Sequence, residues 1–306
     1  MATFLITGAT GFVGQALTKS LCAQGETPRL LVRTLQPDLP NNLQQCVMRS
    51  IDDHDAFAQA CQGVDVIVHL GGLAHITDRQ LAGQDEPYEQ INHQWTSHLA
   101  KAAITAGVGR FVLISSIGVV ATQTAPQQVL KESDTCQPVN PYGRSKLAAE
   151  QTVQNLCRNT STSWCILRPP LVHGKGAPGN LRSMARWLTR ELPLPFASVK
   201  NRRSLVHINN LIQAIELAAR HPAASGEVFH LSDGVDRSTP EILRQAAGCL
   251  GVKVRLFSFP VVLLRWIASL VGKSGMVNQL TADLVVDCSK IQYTLGYKPV
   301  NNPIEV

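Results

Sequence analysis

An apolar triplet, Phe4-Leu5-Ile6, runs directly into Thr7-Gly8-Ala9-Thr10-Gly11-Phe12-Val13-Gly14 and then into a helical pattern over 12–24. Glycines at that spacing remove three β-carbons from the turn, so another group can approach its backbone closely. The helix that follows offers unpaired N–H groups and a positive end, which together favour an anion. Strand-like apolar runs recur at 29–33, 45–49, 65–70, 110–116 and 163–168, with helical stretches near 54–61, 88–106 and 141–158 between them. Near-continuous apolar strands alternating with helices imply a parallel sheet covered on both faces.

The expected fold class is therefore α/β, a doubly wound Rossmann sheet over residues 1–168 whose ligands sit beyond the carboxyl ends of the strands. After Arg168 the pattern changes. Pro169-Pro170 and a glycine-rich stretch over 174–180 break it, and helical patterns follow near 181–191, 209–220, 240–251 and 261–272. Residues 169–306 read mainly as a smaller, mixed substrate lobe, with some return to the main sheet near 205–231.

The chain has 306 residues, 44% of them hydrophobic, and a formal net charge of +6. That balance suits an anionic small ligand, and the scatter of the basic residues predicts no nucleic-acid partner. Eight cysteines form no Cys-x-x-Cys pair and match no metal spacing, so no metal is expected. No stretch is apolar for long enough to span a bilayer, and a cytoplasmic protein is expected. A membrane-surface role at 261–271 is the minor reading beside a helix packed on its own domain.

The glycine turn predicts a dinucleotide cradle built from Gly8, Thr10, Gly11, Phe12, Val13 and Gly14. The second strand ends Leu31-Val32-Arg33-Thr34, with no acid before Asp38 to bond a ribose 2′-hydroxyl. Arg33 suits a 2′-phosphate instead, which favours NADP(H) over NAD(H). The alternative is that Arg33 stacks on the adenine or faces solvent. Leu70-Gly71-Gly72 would let the cofactor pass close to the chain after the fourth strand. Asn92 is a hydrogen-bonding side chain in an apolar helical stretch, assigned here to the cofactor side of the site.

Tyr142 and Lys146 lie one helical turn apart, so phenol and ammonium face the same side. A nearby ammonium lowers the pKa of a phenol and brings it toward the range of acid–base catalysis. Asn140-Pro141 predicts an N-cap and first helical residue that fix where the phenol points. Ser115 and Ser116 end the fifth strand, where a hydroxyl can bond a reacting oxygen. Ser116 is favoured for that role and Ser115 for the cofactor side.

With these motifs in place, the chain resembles the extended short-chain dehydrogenase/reductases, in the nucleotide-sugar epimerase/dehydratase branch. Arg168-Pro169-Pro170-Leu171-Val172-His173-Gly174 is similar to that branch's Arg-Pro-x-x-Val-Tyr-Gly segment, with His173 in place of tyrosine. Arg203–Ile208 and Asp287-Cys288-Ser289-Lys290 through Leu295-Gly296-Tyr297 resemble its later landmarks. The resemblance implies catalysis by Ser116, Tyr142 and Lys146, with Lys146 also on the nicotinamide ribose. It implies a UDP-sugar substrate that touches Ser116 and Tyr142 and is held at its diphosphate by Asn180 and Arg203. A homodimer is implied as well.

Ile117-Gly118-Val119 follows Ser116 where a dehydratase carries an Asp-Glu pair, so dehydration is disfavoured. The expected reaction is NADPH-dependent reduction of a UDP-4-keto-6-deoxy-hexose at C4. A UDP-hexose 4-epimerase with retained NAD is the alternative. A non-catalytic NADP(H)-sensing protein is a third reading, and it leaves Ser116, Tyr142 and Lys146 without a purpose. A steroid or flavonoid ketoreductase leaves Asn180 and Arg203 unused.

Overall fold

The computed structural model describes residues 2–37, 39–40, 42–74, 84–270 and 272–306. Its centre is a seven-stranded sheet of β1 (Phe4–Thr7), β2 (Arg29–Val32), β3 (Gln45–Val47), β4 (Val66–His69), β5 (Arg110–Ile114), β6 (Ser163–Arg168) and, further along the chain, Glu227–His230. All pairings are parallel, in the order β3-β2-β1-β4-β5-β6 followed by Glu227–His230 at the far edge. The strand order reverses between β1 and β4, the position at which doubly wound sheets open a crevice for ligand.

Alternation along the strands sends successive side chains to opposite cores. Phe4, Ile6, Leu30, Val68, Val112 and Leu167 enter one cluster, covered by α1 (Phe12–Ala23) and by a later helix over Ile208–Arg220. Leu5, Leu31, Ile67, Phe111, Leu113 and Ile166 enter the other. That face is covered by α2 (His54–Cys61), α4 (Trp95–Thr105) and α5 (Pro141–Cys157). A short helix α3 (Glu86–Tyr88) and a π-helical segment Glu89–Gln94 lead into α4. The expected strands are each trimmed by a residue or two at most, and Ser115 and Ser116 stand just beyond β5 rather than in it.

A second sheet has the order β10-β8-β7, with β7 (Leu171–His173), β8 (Arg203–His207), Glu227–His230 counted as β9, and β10 (Asp236–Arg237). Between and after its strands run α6 (Asn180–Thr189), the Ile208–Arg220 helix that covers the main sheet, numbered α7, and α8 (Thr239–Leu250). Three further helices are α9 (Val261–Leu270), α10 (Ser274–Thr281) and α11 (Ser289–Leu295). The periodicity did not announce α10 or α11. A third cluster, including Leu181, Met184, Leu188, Leu205, Ile242 and Leu243, packs α6, α8 and β8 together. Among the described residues no helix is long and apolar enough to cross a membrane. No group of three or more His, Cys, Asp or Glu side chains there is placed to hold a metal.

Candidate active site

The glycine turn closes on itself through Gly11 N–H donating to Gly8 C=O at 3.0 Å. Gly8 sits at φ +67, and a β-carbon on it would lie 2.8 Å from Gly71 N. One on Gly14 would lie 2.2 Å from Gly8 O, well inside contact. Gly11 caps α1 without any side-chain bond, so the first N–H groups of the helix face outward beside Phe12 and Val13.

The turn is tied to the end of β4 by a buried chain of hydrogen bonds. Gly71 N–H donates to Thr7 Oγ1 at 3.1 Å, and Thr7 Oγ1 lies 2.6 Å from His69 Nδ1. On its other side His69 Nε2 lies 3.0 Å from Thr96 Oγ1, whose hydroxyl donates to Asn92 C=O at 2.6 Å. Since Thr96 spends its proton on a carbonyl, His69 must donate from Nε2 and accept at Nδ1. Complete burial, with Lys146 adding to it, pushes the His69 pKa down to about 3, so the ring stays neutral.

Asn92 is fully buried in the π-helical segment. Its Oδ1 accepts from Leu73 N–H at 2.7 Å, and its Nδ2 donates to Leu73 C=O at 3.0 Å and to Ser145 Oγ at 2.9 Å. Asn92 therefore clamps the segment after Gly71-Gly72 onto α5. Gly72 leaves the room this needs, because a β-carbon there would lie 3.0 Å from Asn92 Oδ1 and 3.3 Å from Lys146 Nζ.

Helix α5 starts as expected, with Asn140 Oδ1 accepting from Gly143 N–H at 2.7 Å and Pro141 in the first turn. Tyr142 and Lys146 face the cleft together, but their electrostatics differ from the expected ones. Burial raises the pKa of Tyr142, and neighbouring Tyr88 adds to the rise against a hydrogen bond with Ser116. The phenol is thus held protonated rather than made more acidic. Lys146 is only 5% exposed and donates from Nζ to Ile114 C=O at 2.8 Å. Its burial, opposed by Glu150, lowers its own pKa to about 8. The cation meant to acidify the tyrosine is itself desolvated and bound to the end of β5.

Ser116 accepts from Gly118 N–H at 3.1 Å and caps the short turn Ile117–Val119. Its hydroxyl also hydrogen-bonds the Tyr142 phenol. Ser115 is buried and its Oγ has no hydrogen-bond partner among the described residues. A buried hydroxyl left open at the floor of a cleft has a hydrogen bond to offer to a polar group that enters it.

Toward the second sheet, Arg203 Nη1 donates to Gln279 C=O at 2.7 Å and to Ala282 C=O at 3.2 Å. Asn180 Nδ2 donates to Gln279 Oε1 at 3.0 Å. Asn180 is the first residue of α6, with Gly179 as its N-cap, one place later in the helix than the sequence suggests. His173 lies outside the cleft. Fully buried, it donates from Nε2 to Asp233 Oδ2 at 2.8 Å. Burial alone would raise the Asp233 carboxyl, but bonds from His173, His207 N–H and Asn210 hold it below the usual carboxylate range. His173 thus serves to join β7 to β8 and the exit of β9.

A cleft of about 870 Å³ connects the two ends. It is lined by Gly8, Gly11, Phe12, Val13, Gly14, Leu70, Gly72, Ser115, Ser116, Tyr142, Lys146, Asn180 and Arg203. Thr10, Arg33, Gly71 and Asn92 do not line it. Gly71 and Asn92 support the wall from behind, and Thr10 is exposed on the turn. Arg33 is exposed just past β2, and no hydrogen bond or ion pair among the described residues engages its guanidinium. Sequence reading missed Tyr88, whose ring meets that of Tyr142 edge-on at 6.2 Å, and Gln279. It also missed His69, for which a polar residue closing the apolar run Val66-Ile67-Val68 was a usable signal.

A sequence profile of the NAD dependent epimerase/dehydratase family matches residues 4–232. A UDP-glucose 4-epimerase of Vibrio cholerae is 36% identical over 301 residues, 97% of this chain and 90% of the relative. Among solved structures, MoeE5 in complex with UDP-glucose and NAD superposes with a TM-score of 0.78 at 22% identity, covering 98% of this chain and 94% of that one. UDP-glucose 4-epimerase of Thermotoga maritima with UDP-glucose gives 0.77 at 18%, covering 97% and 93%. Those two likenesses establish a shared fold. The match over most of the chain and the 36% relative establish more: this chain belongs to the NAD-dependent epimerase/dehydratase family.

Proposed function

We propose that the chain reduces a UDP-4-keto-6-deoxy-hexose at C4, using NADPH. In this reading residues 1–168 hold the dinucleotide and most of 169–306 holds the nucleotide sugar. The open N–H groups of α1 and the missing β-carbons of Gly8 and Gly14 suit a pyrophosphate. The unpartnered Ser115 hydroxyl and the Lys146 ammonium at the cleft floor suit the amide and ribose of its nicotinamide half. When bound, that ring supplies a hydride to the sugar carbon.

The chain's own groups then manage the oxygen. Ser116 bonds it, and Tyr142 gives it a proton as negative charge develops there. A tyrosine held protonated by its surroundings is in the state a reduction requires. Arg203, whose Nη1 is anchored on two carbonyls, presents the rest of its fork to the cleft for the diphosphate, with Asn180 beside it. Holding that distant group fixes which face of the ring meets the hydride.

The observation that carries the cofactor preference is Arg33, an exposed guanidinium just past β2 with no partner among the described residues, where an NAD site places a carboxylate. The 36% relative named for 4-epimerisation of UDP-glucose supports a second reading, a UDP-hexose 4-epimerase with tightly held NAD. One preparation separates the two. The purified chain is analysed for retained nucleotide, then assayed for NADPH consumption with a UDP-4-keto-6-deoxy-hexose and for conversion of UDP-glucose to its 4-epimer. The reductase reading expects an empty site and NADPH consumption. It also expects Arg33→Asp to weaken NADPH by about tenfold or more while sparing NADH. Retained NAD with epimer formation would replace it by the second reading. NADPH binding without turnover of any UDP-sugar would point to a sensor.

A further inference from the structure

Helix α9 carries more exposed apolar surface than its neighbours. Ala268 is its buried residue, and Val261 and Leu264 pack partly against the third core cluster. On the outer side Val262 is 82% exposed, Trp266 59% and Leu270 66%, with Leu263 and Ile267 between them. Phe257, also exposed, extends this surface ahead of the helix.

The segment that leads into α9 pairs with the segment that leaves α6. Leu194 N–H donates to Arg255 C=O at 2.8 Å, and Phe257 N–H returns to Leu194 C=O at 3.0 Å. Along it Lys253, Arg255 and Phe257 alternate outward while Val252, Val254 and Leu256 turn in. Arg190 and Leu192 are exposed at the end of α6, and Lys273 is exposed just after α9. No acidic side chain pairs with Arg190, Lys253, Arg255 or Lys273 among the described residues.

Charge along the chain follows the same division. Residues 174–190 and 242–282 together hold nine of the 28 basic residues and none of the 22 acidic ones, so the remainder of the chain is net negative. An apolar helix face with an aromatic at its centre and unpaired cations at both ends is complementary to an anionic lipid surface. A second copy is a poorer occupant, because a two-fold contact would set these cations against themselves.

We propose that the outer face of α9, with Phe257 and the flanking Arg190, Lys253, Arg255 and Lys273, docks this protein on an anionic bilayer surface. The helix lies in the interface and does not cross it. Arg265, on α9, donates from Nε to Thr281 Oγ1 at 2.9 Å and so ties the helix to α10, which supplies Met276, Gln279 and Leu280 to the cleft. Docking therefore holds the sugar end of the cleft beside the membrane.

The test is flotation of the full chain with vesicles of phosphatidylcholine alone and of phosphatidylcholine with phosphatidylglycerol in equal parts, at low and high salt. The expected result is binding to the anionic vesicles only, weakened by salt. Each cation at an anionic surface contributes about fivefold, so Lys253→Gln with Arg255→Gln should cost about 25-fold. Val262→Ser with Trp266→Ser should cost about tenfold or more through lost apolar contact. Both variants change exposed positions, and unchanged thermal unfolding confirms that they remain folded. Equal binding to both vesicle types, no binding to either, or binding that both double variants retain would overturn the proposal. So would sedimentation showing a dimer of the parent chain that Val262→Ser with Trp266→Ser converts to monomer, since a second copy would then cover the face.

Discussion

On the glycine-turn wall of the cleft, position is set by main chain. Gly8 and Gly14 let β1, α1 and the end of β4 approach within distances that no side chain would tolerate, Gly71 makes room for the Trp95 ring behind, and parallel strand pairing fixes the rest. On the opposite wall, position is set by side chains reaching across sequence. Arg203 leans on the carbonyls of Gln279 and Ala282, and Asn180 bonds the Gln279 amide. The first wall is the more rigid and the less forgiving of substitution. The second can change its residues without disturbing the sheet.

The sharpest way to break this contrast is Gly14→Ala. Its methyl would meet Gly8 O and the Ala9 backbone, which cannot yield without moving the turn. We expect dinucleotide binding to fall by at least about a hundredfold, with a stability loss of about 1–3 kcal/mol from overpacking. Isothermal titration with NADPH and denaturant unfolding measure the two. Wild-type binding in this variant would show that the turn is not under the constraint its geometry implies.

Lys146 tests the buried floor between the walls. Its folded pKa of about 8 lies below the ordinary 10.5, so between those values the unfolded chain holds a proton that the folded chain has lost. Stability must then rise with pH across the window from about 8 to 10.5, by up to about 3 kcal/mol from this group. Lys146→Met should lack that rise. Urea midpoints of both proteins at pH 8 and pH 10, without nucleotide, decide it, and identical pH slopes would contradict the assigned burial.

Arg203→Ala probes the second wall. It should raise KM for the UDP-sugar by about 10–30-fold, the worth of a charge-assisted contact, while NADPH affinity stays unchanged. Steady-state kinetics separates the two constants. An equal loss in NADPH affinity would mean that the walls are not independent.

The two walls also differ in how far they could be read without a structure. Apolar strands flanked by glycine are a local pattern, so β1, β2, β4, β5 and β6 and the turn after β1 were legible. Asn140-Pro141 likewise announced the start of α5. The second wall depends on contacts between residues 76 to 99 positions apart, such as Arg203 with Gln279 and Asn180 with Gln279, which no local pattern encodes. Helix α10 carries no capping signal at its start, and Gln279 gains its place only from tertiary packing.

Tyr142 and Lys146 illustrate the same limit in chemistry. Their spacing was readable, but the direction of the tyrosine's pKa was not. Burial acts through the whole fold, and here it outweighs the Ser116 hydrogen bond that opposes it. His173 stands where the family resemblance suggested tyrosine, and its buried bond to Asp233 depends on a residue 60 positions away.

Single-turnover reduction of a UDP-4-keto-6-deoxy-hexose by the parent chain and by Tyr142→Phe, with NADPH affinity measured in parallel, decides whether the phenol delivers the proton. If Tyr142 is the proton donor proposed above, its removal should slow the chemical step by about 10²–10⁴-fold, with NADPH binding within about twofold of the parent because the phenol contributes little to holding the dinucleotide. A Tyr142→Phe protein that reduces the sugar at the parent's rate would contradict the account.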